Sequence, residues 1–230
     1  MGKGALLNLD GAARFYGEGE NRVDALLSTD LTVEEGEFIC VAGPSGSGKT
    51  TLLNLSGLLD LPSSGRVLVL GRDSGALSKG ARASLRRELV GFVFQAHNLL
   101  PVLTARENVE YSMLVRGLGA KERSERAQSA LTSVGLLGKE DKFPRELSGG
   151  EQQRVAVARA IAPGTPLVIA DEPTANLDSV TGKALMSLLY ELKEREGMTF
   201  IFSSHDPMVM ECAERVITLH DGSIVKDNTK

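Results

Sequence analysis

The sequence predicts an α/β fold: a sheet core, an antiparallel β subdomain before it, and an α-helical subdomain inserted into it. Three observations carry this. Glycine-rich Gly43–Thr50 sits between the apolar run Phe38–Ala42 and the helix opening Thr51–Leu55. Short apolar runs that read as buried strands recur at 167–170 and 198–204, with helical patterns between them. The character changes at Gln95, after which the pattern is helical to about residue 162. The 230 residues then form one domain, with a core over 1–95 and 163–230 and the helical subdomain over about 96–162.

Composition sets outer limits. Hydrophobic content of 42% and charged content of 24% are ordinary for a globular chain able to bury a full core. A net charge of −4 weighs against nucleic acid as a partner, a local basic patch aside. Cys40 and Cys212 lack metal-ligand spacing and read as small core residues, which fits a reducing compartment. No run approaches the ~20 apolar residues that a membrane span needs. Met1–Leu6 lacks a signal-peptide core, and Leu6 stands where myristoylation needs Ser or Thr.

In chain order, Leu6–Leu9 and Leu31–Val33 are strand candidates separated by polar breaks. Tyr16 falls in a connecting loop, where it is either a half-buried tyrosine or a face for a nucleotide base. Arg66–Leu70 and Leu89–Phe94 read as strands, with basic helical Ala81–Glu88 between them. Ala127, Ala130, Leu131 and Val134 mark one apolar helix face, closed by Gly135 and Gly138. Ser148 and Glu151 have capping-box spacing before a helix that Pro163-Gly164 stops. Asp178 caps a helix over 179–196, ended by Gly197. Arg215–Leu219 and Ser223–Val225 form a hairpin about Asp221-Gly222, and Lys226–Lys230 reads as a frayed tail.

The chemistry starts at Gly43-Pro44-Ser45-Gly46-Ser47-Gly48-Lys49-Thr50, which fits G-x-x-x-x-G-K-[ST], the phosphate-binding loop. Its glycines let backbone N–H groups curl around a phosphate chain at a positive helix end. Lys49 then reaches the β- and γ-phosphates, and the Thr50 hydroxyl serves Mg²⁺. Gly149-Gly150, in the first turn of their helix, cost roughly 1 kcal/mol each against alanine. They offer bare N–H groups, a second anion-reading helix end. Leu167–Ala170 delivers Asp171 to a metal at the strand's C-terminal end, and Glu172 follows where a carboxylate can orient water. By pattern alone Glu172 is more simply an acidic helix cap after a core strand, and His205 a capped core residue at a strand end.

Taken together, these motifs resemble, in identity and order, the ATP-binding subunits of ABC transporters, over nearly the whole chain. The resemblance implies a P-loop NTPase core of the ABC ATPase type, using ATP and Mg²⁺. By it, Gly43–Thr50 and Thr51 bind nucleotide and Gln95 stands in the Q-loop, as a metal ligand and catalytic contact. Leu147-Ser148-Gly149-Gly150-Glu151 is the signature, with Glu151 where many members have Gln. Asp171 becomes the Walker-B metal ligand and Glu172 the catalytic carboxylate. Asn176-Leu177-Asp178 becomes the D-loop, His205 the H-loop histidine and Tyr16 the base-stacking aromatic. It also implies a head-to-tail dimer sandwiching ATP, and a membrane permease that holds the subunit at the cytoplasmic face of the inner membrane.

Phe94–Pro101 and Leu103–Val109 are similar to the lipoprotein-release and macrolide-export ATPases. The cell-division ATPase of the same group, which drives cell-wall remodelling without transport, is an alternative. A soluble DNA-repair ABC ATPase is another, disfavoured because Thr50 to Leu147 holds no sustained heptads and no cysteine cluster.

Overall fold

The computed structural model describes residues 5–230; residues 1–4, part of the N-terminus read above for targeting signals, lie outside the described residues. Two sheets organise the chain. A four-stranded antiparallel sheet has the order β2-β1-β4-β5, built from β1 (Ala5–Tyr16), β2 (Val23–Glu34), β4 (Ser64–Val69) and β5 (Arg72–Asp73). A six-stranded sheet has the order β10-β9-β3-β8-β7-β6. Its members are β3 (Phe38–Ala42), β6 (Val90–Val93), β7 (Leu167–Ala170), β8 (Thr199–Ser204), β9 (Arg215–His220) and β10 (Ser223–Thr229). All of its pairings are parallel except β10 on β9.

Burial on both faces explains the unbroken apolar runs. Along β3, Phe38, Cys40 and Ala42 face one core, with Val168, Phe200 and Phe202. Ile39 and Val41 face the other, with Ile169, Ile201 and Leu219. The first core is covered by helices. These are α3 (Ala105–Leu114), α4 (Ala120–Ser133), α5 (Gly149–Ile161), α6 (Ser179–Glu196) and α7 (Pro207–Cys212). The second is covered by α1 (Lys49–Ser56) and the antiparallel sheet, with α2 (Lys79–Leu89) beside β6. Phe38 anchors the helical side, its ring 4.9 Å from Phe202 and 5.6 Å from Phe200. Truncating such a ring costs about 3–5 kcal/mol.

The structure corrects several boundaries. β1 and β2 run 12 residues each, because the polar breaks are bulges within continuous strands: register shifts fall at Leu9/Ala12, and Asp30 accepts the Gly11 N–H at 2.7 Å. Tyr16 therefore ends a strand and does not sit in a loop. Lys226–Thr229 is not frayed. It pairs with β9 from Thr218 to Arg215, and Arg215 donates two side-chain bonds to the Asp227 carboxylate. Helix α5, expected in the insertion, packs against α3 and α4 but also against β6. The approach is close enough that a Cβ on Gly91 would lie 2.3 Å from the Ala160 carbonyl.

Candidate nucleotide site

Four strands of the parallel sheet end at one cleft. Gly43–Gly48 follows β3, Gln95 follows β6, Asp171 follows β7 and His205 follows β8. The cleft is about 690 Å³, within the range of small-molecule sites. Pro44, Ser45, Gly46, Gly48, Lys49, Thr50 and Thr51 line one side, and Gln95, Asp171, Glu172 and His205 the other. Gly43 and Ser47 are outside that lining and hold the loop from behind. Ser47 O accepts the Gly222 N–H at 3.0 Å, which ties the loop to the β9–β10 turn.

The loop's shape depends on Gly48, at φ +101°. A Cβ there would sit 2.5 Å from the Ala25 carbonyl, so only glycine lets β2 back the loop this closely. Gly48 also caps α1 without a side chain, whereas Thr104, Ser148 and Asp178 cap α3, α5 and α6 with theirs. The first N–H groups of α1 thus have neither intrahelical nor side-chain acceptors and are available to anionic oxygens. Lys49 is nearly buried and donates to the Gly43 and Pro44 carbonyls at 2.8 and 3.0 Å, folded back over the loop.

Opposite, Thr50 Oγ1 donates to Asp171 Oδ2 at 3.2 Å. Glu172 has φ +47°, rare for a residue with a side chain, and its Oε1 lies 3.1 Å from His205 Nδ1. The Glu172 side chain is 16% exposed and that of His205 71%, so the carboxylate is sheltered and the imidazole open to the cleft.

Ser148 Oγ accepts the Glu151 N–H at 3.3 Å while Glu151 accepts the Ser148 N–H at 2.9 Å, so the capping box is formed. Lys139 pairs with Glu151 and, with the Ser148 N–H, holds that carboxyl below the usual range. Ser148 and Gly149 are exposed, Gly150 half-buried, and all lie outside the cleft of their own chain. Tyr16 is outside the cleft lining too: its hydroxyl donates to Asp60 at 2.9 Å and Arg14 lies 4.6 Å from its ring centre. Val23, Asp24 and Ala25 line the cleft on that side.

Three side chains make contacts that nothing in a one-dimensional pattern marks. Asn176 Nδ2 donates to the Gln95 carbonyl at 3.0 Å. Arg159 donates to the consecutive carbonyls of His97 and Asn98 at 2.7 and 2.6 Å, and both of those residues have positive φ. Ser203 bonds both Asp171 and Glu172.

A phosphate-binding loop faced by an acidic strand end, in a sheet with an inserted helical layer, defines a P-loop ATPase of the cassette class. Residues 26–175 match the family model described as ABC transporter, and the chain belongs to that family as one of its ATPase cassettes. Among curated relatives, the macrolide export ATP-binding/permease protein MacB of Neisseria meningitidis serogroup A / serotype 4A is 44% identical over 98% of this chain. MacB of Marinobacter nauticus is 47% identical over 96% of it. The chain spans only about a third of these relatives, 35% and 34% of their length. Among solved structures, the dimeric post-hydrolysis state of the ATP-binding cassette MJ0796, bound to ADP and Pi, superposes at a TM-score of 0.89. It is 40% identical, and the match covers 97% of this chain and 98% of that one. CbiO1 from Clostridium perfringens, part of an ABC transporter complex, gives a TM-score of 0.89 at 28% identity, over 98% of this chain and 88% of that one.

Proposed function

We propose that the chain hydrolyses MgATP at the seam of a head-to-tail dimer. Each cleft would be completed by Ser148, Gly149 and Gly150 at the start of the partner's α5. One observation carries this reading: the start of α5 is exposed and lies outside the cleft of its own chain, while that cleft is open on the side of His205. The dimeric relative bound to ADP and Pi supports it.

The donors across the cleft are all oxygen: the Thr50 hydroxyl, the Asp171 carboxylate and the Gln95 amide. That set suits Mg²⁺, a hard cation. When bound, the ion supplies charge neutralisation at the β- and γ-phosphates. Lys49 exchanges the Gly43 and Pro44 carbonyls for phosphate oxygens. Glu172 orients water for in-line attack, and His205 holds Glu172 and contacts the γ-phosphate. By the family resemblance, Tyr16 stacks on the nucleotide base. The work of these residues is positioning and charge stabilisation.

ATP binding closes the dimer and hydrolysis releases it. That cycle drives a membrane permease for the export or extraction of a macrolide, lipoprotein or other lipophilic substrate, from the cytoplasmic face of the inner membrane. The names of the relatives support an export permease. Among the described residues, no helix is long and apolar enough to cross a membrane. Affinity purification from detergent-solubilised membranes, with identification of what co-purifies, tests this. An integral membrane subunit supports the reading, and a purely soluble complex refutes it.

A further inference from the structure

The second-to-last residue of β8, Ser203, is fully buried, at 0% exposure. The three residues before it, Phe200, Ile201 and Phe202, are apolar and buried, so a hydroxyl here is costly unless its bonds are made. Both are made, to two consecutive residues. Ser203 Oγ donates to Asp171 Oδ1 at 2.6 Å and accepts the Glu172 N–H at 2.9 Å. The other Asp171 oxygen, Oδ2, is the one facing Thr50. Ser204 points to the opposite face of the strand and accepts the Asp206 N–H at 3.1 Å, so the two serines have separate tasks.

We propose that Ser203 is a positioning residue for phosphoryl transfer. It fixes the Asp171 carboxylate with one oxygen toward Thr50. It also holds the Glu172 backbone at positive φ, so that the side chain turns to His205. A non-glycine residue in that conformation is strained and persists only where its surroundings impose it. The Ser203 bond to the Glu172 N–H is the imposing contact. The inference rests on the proposed roles of Asp171 and Glu172.

The test compares Ser203→Ala, Ser203→Thr and the unaltered chain by two readouts. The first is affinity for a fluorescent ADP analogue with excess Mg²⁺ and with EDTA. The second is steady-state kcat and KM for ATP. Loss of a charge-assisted bond predicts about a tenfold smaller Mg²⁺-dependent gain in affinity for Ser203→Ala, and a kcat lower by at least as much. Affinity in EDTA stays unchanged. Ser203→Thr keeps the hydroxyl and holds both values within about threefold.

A merely structural serine would lower the melting temperature and leave both readouts alone. Unaltered Mg²⁺ gain and kcat in Ser203→Ala therefore overturn the proposal, as does a folded Ser203→Thr as impaired as the alanine variant. If the alanine variant does not fold, Ser203→Cys replaces the hydroxyl by a weak donor of similar size, and unaltered values there overturn it equally. Normal turnover in Glu172→Gln would refute the role of Glu172, yet leave the metal-dependent ADP readout standing as a test of Ser203 on Asp171.

Discussion

Glu172 Oε1 and His205 Nδ1 lie 3.1 Å apart across the cleft mouth, the carboxylate sheltered and the imidazole exposed. Glu172→Gln keeps the size and the hydrogen-bonding ability of the side chain but removes its charge. We expect nucleotide binding to persist while turnover falls by about 10²-fold or more, the scale of a lost general base. ATP-bound dimer should accumulate on size-exclusion chromatography. Wild-type turnover would remove Glu172 from the chemistry.

Lys49 is held over its own loop by two carbonyls. Lys49→Ala removes the cation that would leave them for phosphate. Equilibrium dialysis with labelled ATP should show affinity weakened by about tenfold or more, as for a lost charge-assisted contact. The fold should survive, since the loop is also fastened through Ser47 to Gly222.

Ser148→Arg places a bulky cation at an exposed helix start outside the chain's own cleft. Nucleotide should still bind to single subunits, but hydrolysis and nucleotide-induced dimerisation should be lost. Ordinary turnover would contradict a two-chain site.

Arg215 beside Asp227 holds that carboxyl below the usual carboxylate range. The folded form therefore binds the proton less readily than the unfolded chain. The resulting stability is present above the unfolded value of about 3.9 and lost as pH falls through the lower folded value. Asp227→Asn should melt earlier than the unaltered chain at pH 7, with the gap shrinking below about pH 4. A gap independent of pH would mean the ion pair does not contribute.

Arg159 is half-buried, and burial pushes its guanidinium pKa down. Arg159→Gln should cost about 2 kcal/mol, from bonds to a charged donor. Hydrogen exchange should rise over residues 94–98 while α6 stays protected. Unchanged exchange there would mean the arginine does not hold that segment.

The candidate site was legible where chemistry forces residue types into fixed spacing. Gly43–Thr50 needs its glycines and its Lys-Thr pair in one continuous stretch, and Asp171-Glu172 must end a buried strand. Helices α5 and α6 announced themselves through Ser148 and Asp178. What stayed hidden is held by main-chain pairing or by contacts distant in sequence. β10 is polar along Lys226–Thr229, so its pairing leaves no hydrophobic trace. Asp10-Gly11 reads as a break because a bulge and a turn use the same residues. Ser203 looks like any small residue near a strand end until Asp171, 32 positions earlier, is placed beside it.

Helix α5 joins two separate regions of the surface. Its first residues are those that the proposed dimer would press against, and its far end carries Arg159, clasped to the segment after β6. Thirteen residues of unbroken helix make a rod of about 20 Å. In that dimer, a push on the tip would pass along the rod as a rigid displacement and reach residues 97 and 98 at the other end.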